Sequence, residues 1–347
     1  MPTILICGYY GAGNLGDEAI LSAMLSDLRE QRNDLDFIVL SFNPGETASR
    51  YRVQSILYKD LAGLTAAAQA CDLFILGGGG LFHDYWGVSE EDLFTQAHIG
   101  ISYYCTAVLL ARLYKKPVML YAVGVGPLFH DSGEQLTRLC FENADLATLR
   151  DIESLELLEN LSISSQEMHV LTDPAFSLQP DHGAADDVLQ GLLSDELPVV
   201  GICLRNWDVG VSAQAWQKEV AQALDQFLNT HTVQLLFVPF QVSSADILVN
   251  DQKVAENVVG MMHHSDQAVV LLGDHSPETV MGILAQCQLV LGMRLHSAIL
   301  AASCAVPVVG IIYDPKVKNV MHHLCMDEYG IEISELEANE LANALSE

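Results

Sequence analysis

Positive charge is scarce in this sequence: 16 Lys and Arg stand against 45 Asp and Glu, a formal net charge of −29 at pH 7. A field of that sign repels DNA, RNA and anionic lipid, so a nucleic-acid partner is excluded. Long apolar runs are also missing. Gly, Pro or a charge breaks every hydrophobic stretch short of the ~20 residues that a membrane span needs. The start, Met1-Pro2-Thr3 and then a short apolar strand, has neither the basic region nor the length of a signal peptide. Cysteines do not pair in spacing. They stand singly at 7, 71, 105, 140, 203, 287, 304 and 325, with no CxxC and no Cys/His ligand pattern. That argues against structural zinc and a disulfide framework, and for buried thiols in a reducing, cytoplasmic setting.

What is present is apolar material for two cores. Half of the 347 residues are hydrophobic, which suits two domains of ~150 residues each. Strand-like runs at Thr3–Gly8, Phe37–Phe42, Leu73–Leu76, Pro117–Val123 and Leu146–Leu149 alternate with helical periodicity at Asp17–Gln31, Leu61–Cys71 and Asp92–Tyr114. After a polar stretch, Gln179–Pro198, the pattern restarts. Strands at Val199–Leu204, Val233–Pro239, Ala268–Leu272, Leu289–Leu291 and Pro307–Tyr313 alternate with helices, among them Gln252–His264 and Ser297–Cys304. Such alternation predicts βαβ units and parallel sheets. The expected fold is α/β, with two Rossmann-like domains facing a central cleft in the GT-B manner. The domains are placed at 1–185 and 196–347, with the final helix packing back on the N-terminal domain.

In open parallel sheets, ligands sit beyond the carboxyl ends of the strands. The unusual residues of this chain fall there. After the first strand comes a glycine loop containing Gly11, Gly13, Asn14, Gly16 and Asp17. Its turns allow close backbone approach at a helix start, although it reads equally well as a tight turn capped by Asn14 or Asp17. It lacks the spacing of a dinucleotide fingerprint, which disfavours a dehydrogenase. Gly77, Gly78, Gly79 and Gly80 then lead into His83 and Asp84, and four glycines in a buried setting predict a ligand or a chain segment lying against that backbone.

The sharpest cluster is Gly292-Met293-Arg294-Leu295-His296-Ser297. In an extended segment Arg294 and His296 point to one side and form a cationic, titratable site near a helix N-terminus. The bland reading makes Ser297 an N-cap, Arg294 a surface ion pair and His296 a packed ring. Arg150 and Arg205 also close apolar strands, and Lys316 follows the last one. Several guanidinium forks beside one His suit a small polyanion carrying carboxylate and phosphate.

These segments resemble the polysaccharide pyruvyl transferases over most of the chain: GYYGAGNLGDEAIL, LFILGGGGLFHD, YAVGVGP, LRDIES at Arg150, TDPAF at Thr172–Phe176, GICLR at Arg205, and GMRLHSAILAASCAVPVVGIIYDPK. The resemblance implies a reaction of phosphoenolpyruvate with a glycan or lipid-linked saccharide, without metal or other cofactor, that forms a pyruvate ketal. It implies His296 as acid, Lys316 beside it, and Arg150 and Arg294 on the donor. Arg205 joins them from its strand-end position alone. Contact with the inner face of the membrane is expected to be peripheral at most. Tyr103, Tyr104, Trp86 and Trp207 are candidates for stacking on a sugar ring. The alternatives are a GT-B glycosyltransferase using a nucleotide-sugar donor, and a non-catalytic binding protein on the same scaffold.

Overall fold

The computed structural model describes residues 1–194, 196–242 and 250–347, and divides into two compact units, Met1–Ser177 and Leu178–Glu347. Each unit is built on its own parallel sheet.

The first unit runs β1 (Thr3–Cys7), α1 (Leu15–Gln31), β2 (Asp36–Ser41), α2 (Pro44–Tyr51), β3 (Gln54–Leu57), α3 (Leu61–Ala70), β4 (Leu73–Leu76), β5 (Gly79–Phe82), α4 (Ile101–Leu113), β6 (Val118–Val125), α5 (Asp131–Glu142), β7 (Leu146–Leu149), α6 (Ile152–Asn160) and β8 (Met168–Val170). Its strand order is β3-β2-β1-β4-β6-β7-β8, with β5 pairing β6 off the main path. Strand β1 shows why both faces must be covered. Ile4 and Ile6 point into one core with Leu21, Met24 and Leu25 of α1. Leu5 and Cys7 point into the other, with Leu64 of α3 and residues of α4 and α5. Alternate residues of a strand face opposite ways, so a strand apolar at every position is one buried on both sides.

The second unit runs α7 (His182–Leu189), β9 (Val199–Cys203), α8 (Ala213–Leu228), β10 (Gln234–Phe237), α9 (Asp251–Met261), β11 (Ala268–Val270), α10 (Pro277–Leu284), β12 (Leu289–Gly292), α11 (Leu295–Ser303), β13 (Val308–Ile312), α12 (Pro315–His323), β14 (Gly330–Glu332) and α13 (Ala338–Ala344). The order β11-β10-β9-β12-β13-β14 is the Rossmann order 3-2-1-4-5-6. The direction of winding reverses beside β9 here, and beside β1 in the first unit. Crevices at those switch points are where such sheets hold ligands.

Four local features differ from the sequence expectations. The helix predicted from Asp92 begins at Ile101, because Gly100 takes a positive φ of 54° and ends an irregular excursion. A strand absent from the sequence reading begins within the glycines at 77–80: Gly79 and Gly80 start β5, which pairs with β6. Within the stretch expected to connect the domains, of which residue 195 lies outside the described residues, His182–Leu189 forms α7. It packs on α10, with the Asp181 amide donating to the Glu278 carbonyl at 2.9 Å. Helix α13 packs on α8 of the second unit, its first amide, at Ala338, donating to Glu219 at 3.0 Å.

Candidate functional site

In the first unit, the loop after β1 is closed by its own acids. Asn14 caps α1 by accepting from the Gly16 amide at 3.2 Å. The buried Glu18 carboxylate accepts from the Gly11 amide at 2.6 Å and from the Tyr51 hydroxyl at 2.6 Å. Gly11 sits at φ 72°, and a Cβ there would meet the Asn43 amide nitrogen at 2.7 Å, so only glycine fits. Asp17 and Glu18 place two buried carboxylates in the first turn of α1. They satisfy the helix dipole from within and give this loop an acidic character that does not suit a phosphate.

The room left by the second glycine cluster is filled by the chain itself. A Cβ on Gly79 would come within 2.5 Å of the Asp17 carboxylate, and one on Gly77 would strike the Tyr10 hydroxyl. The Arg150 guanidinium lies across Gly80 and Gly124: a Cβ on Gly124 would meet its Nε at 2.6 Å, and one on Gly80 its Nη2 at 3.3 Å. Arg150 follows β7 directly. Its side chain is buried and faces Asp151 at 3.4 Å and Asp173 at 3.6 Å, yet it makes no hydrogen bond with a described residue. Buried charges ordinarily carry both a partner and full hydrogen bonding. Asp84 belongs to the scaffold: buried, it accepts from the Phe129 and His130 amides at 2.7 and 2.9 Å and fixes the turn after β6.

In the second unit the strand-end residues converge. Arg205, just past β9, donates through Nη1 to the Tyr313 hydroxyl at 2.7 Å. Its guanidinium carbon stands 4.7 Å from the Tyr313 ring centre and 5.3 Å from that of Trp207. The Tyr313 and Trp207 ring centres are 4.6 Å apart. Lys316 Nζ lies 5.7 Å from the centre of the Tyr313 ring and 3.3 Å from Asp314, whose carboxylate caps α12 by accepting from the Lys316 amide at 3.0 Å. Burial alone would push the Tyr313 phenol up. Lys316 and Arg205 outweigh it, with Asp314 opposing and Arg294 adding to them, and hold the phenol below the usual tyrosine range.

Arg294 and His296 are not extended together. Arg294 is the N-cap of α11, and His296, half-buried, already lies in its first turn. Arg294 is 7 % exposed, and its side chain meets Asp251 in a fork, Nε to Oδ2 at 2.8 Å and Nη2 to Oδ1 at 2.6 Å, with Gln241 accepting at 3.1 Å. Asp251 also accepts from the Phe240 and Gln241 amides. Ser297 is not the cap; its hydroxyl donates back to the Arg294 carbonyl at 2.6 Å.

Three participants were missed in the sequence: Tyr313, Asp251 and Gln241. Tyr313 was findable, since it follows β13 as Arg205 follows β9. Asp251 lies 43 residues from Arg294, and no local pattern links the two. Of the aromatic candidates, Tyr103 and Tyr104 are core, Trp207 is buried beside Tyr313, and Trp86 is exposed. Among the described residues no group of three or more His, Cys, Asp or Glu is arranged to hold a metal ion, and no helix is long and apolar enough to cross a membrane.

Comparison with known proteins agrees with this picture. Solved structures share the fold at low identity. They include the UDP-GlcNAc 2-epimerase of Methanocaldococcus jannaschii (TM-score 0.67, 11 % identity, 100 % of this chain and 92 % of that one) and that of Neisseria meningitidis (0.60, 10 %, 100 % and 91 %). ADP-heptose LPS heptosyltransferase II of E. coli is similar in the same way (0.55, 13 %, 100 % and 98 %). The fold is therefore GT-B-like. In sequence the chain is 25 % identical to the amylovoran biosynthesis protein AmsJ of Erwinia amylovora, over 96 % of this chain and 88 % of that protein. The family model for polysaccharide pyruvyl transferases matches residues 14–315. The match takes in α1 from its cap at Asn14, the glycines at 77–80, Arg150, Arg205 and the Arg294–His296 segment, and the chain belongs to the polysaccharide pyruvyl transferase family.

Proposed function

We propose that this transferase takes its pyruvyl unit from phosphoenolpyruvate and places it on two hydroxyls of a sugar in a polysaccharide precursor, releasing phosphate. The observation that carries this reading is the cationic cluster at the switch point of the second unit: Arg205 and Lys316 gathered on Tyr313, with His296 in the first turn of the neighbouring helix. A small dianion or trianion is the ligand such a cluster suits, and it stands out in a chain of net charge −29.

The proposed steps balance without a cofactor. His296, as imidazolium, delivers a proton to C3 of the enol, and positive character develops at C2. One sugar hydroxyl adds at C2 and loses its proton, which restores the acid. The C2–O bond to phosphate then breaks, and the second hydroxyl closes the ketal as its proton leaves with phosphate. Arg205 and Lys316 bind the donor anion and stabilise the charge that builds on the departing phosphate. Arg294 reaches the donor less directly: its fork with Asp251 fixes the start of α11 and so the place of His296. Arg150 keeps the donor role its motif implies, supported within its own unit by a buried guanidinium short of hydrogen bonds. The acceptor is a glycan, free or lipid-linked. In the first unit, Asp17 and the glycine loop, acidic and rich in acceptors, fit hydroxyl groups better than phosphate.

The test is phosphate release from phosphoenolpyruvate across a panel of amino-sugar acceptors, comparing wild type with His296→Ala. Acceptor-dependent release, reduced about 100-fold or more in the variant, is expected of a general acid. Near-normal turnover in the variant would remove His296 from the role. Stabilisation of the fold by UDP or a nucleotide sugar, with none by phosphoenolpyruvate, would replace the donor.

A further inference from the structure

Arg205 has no carboxylate partner among the described residues, although the chain offers 45 of them. Its recorded partners are its neighbour's carbonyl, at Asn206, and the Tyr313 hydroxyl. A guanidinium has only donors, so at 2.7 Å the phenol oxygen is the acceptor. The proton of Tyr313 must then point elsewhere. Tyr313 is 8 % exposed, and no described residue accepts that proton. Leaving a buried donor without an acceptor is costly, and the groups facing this one are cationic: Arg205 after β9, Lys316 at the start of α12 and Arg294 at the start of α11, with Asp314 paired to Lys316.

We propose that Tyr313 is a donor ligand in its own right, giving its phenolic proton to the phosphoryl oxygen of the donor while Arg205 grips the same group, so that the two form one phosphate clamp. This rests on the donor assignment above and adds to it a residue that the resemblance did not supply. The geometry explains why the tyrosine is held so firmly. Its ring packs in a three-way cluster with the Trp207 ring and the Arg205 guanidinium, and its oxygen accepts from Arg205, so the hydroxyl is held in place and little freedom is lost on binding. The clamp works only while the phenol is protonated. Because the surrounding cations hold Tyr313 below the usual tyrosine range, phosphate affinity should begin to fall at a lower pH than that at which ordinary tyrosines titrate.

The experiment is titration of inorganic phosphate, with pyruvate as the carboxylate-only probe, into wild type and Tyr313→Phe by calorimetry between about pH 7 and pH 10. The ring and its contacts with Trp207 and the guanidinium remain in the variant, and matching melting temperatures check that it folds. A charge-assisted bond predicts phosphate affinity weaker by about ten- to a hundredfold, pyruvate affinity nearly unchanged, and an alkaline decline present in wild type and missing from the variant. Unchanged phosphate affinity in Tyr313→Phe overturns the clamp, and so does a loss confined to pyruvate. The two readings fail separately. Weakened phosphate binding with no ketal from any acceptor leaves the clamp standing and removes the reaction. Ketal formation by the variant at the wild-type KM for phosphoenolpyruvate removes the clamp and leaves the reaction.

Discussion

Two side chains illustrate how little freedom single residues have here. Asp251 is fully enclosed and serves four donors: two from the Arg294 guanidinium and the amides of Phe240 and Gln241. Replacing Asp251 by Ala leaves a buried guanidinium uncompensated and two amides unpaired, a loss of roughly 3–5 kcal/mol, readable as a lowered urea midpoint. Conversion to Asn, which keeps the shape and one acceptor, should cost less. His98 is enclosed as well; its Nε2 meets the Tyr58 carbonyl at 3.2 Å and its Nδ1 has no partner. Burial pushes its pKa below 6.5. A group depressed in the folded state contributes stability that is fully present above the unfolded value and lost as pH falls. The melting temperature of wild type should therefore drop more steeply below pH 6.5 than that of His98→Gln, which keeps a donor but does not titrate. Parallel curves would remove His98 from the account.

At the scale of elements, the glycines decide where side chains can lie. Gly124 on β6 and Gly80 on β5 clear the surface on which the Arg150 guanidinium rests. Gly124→Ala should displace that guanidinium and lower turnover more than it lowers stability, whereas an alanine effect on stability alone would make Arg150 a scaffold residue. This arrangement was half legible. Four consecutive glycines announced a close approach, but not that Tyr10, Asp17 and Arg150 of the same chain would occupy it. The strands divide along the same line. Central strands such as β1, β4, β9 and β13 are buried on both faces and read as unbroken apolar runs. Edge strands β3, β8 and β14 are three or four residues long, and Gln54, His169 and Glu332 break their pattern. They exist through pairing with a neighbour rather than through any signature of their own. Arg294 and His296 were legible as a pair of functional type, yet their geometry was not, because the helix starts two residues earlier than Ser297.

For the molecule as a whole, the imbalance of 45 acids to 16 bases is a standing repulsion that the compact state must bear. Raising salt from about 0.05 to 0.5 M shortens the Debye length severalfold and should raise the melting temperature; a fall would mean that specific ion pairs outweigh the net field. Against that background the second unit concentrates cations at one switch point, and the family match supplies the reaction class that makes sense of them. The most direct test follows the carbon. Phosphoenolpyruvate labelled with carbon-13 at C2 is incubated with the enzyme and an amino-sugar acceptor, and the product is read by NMR and mass spectrometry. The account predicts a labelled quaternary ketal carbon on the sugar, with one phosphate released per ketal. Label remaining in phosphoenolpyruvate or appearing only as free pyruvate, while a nucleotide sugar donates its glycosyl group to the same acceptor, would contradict it.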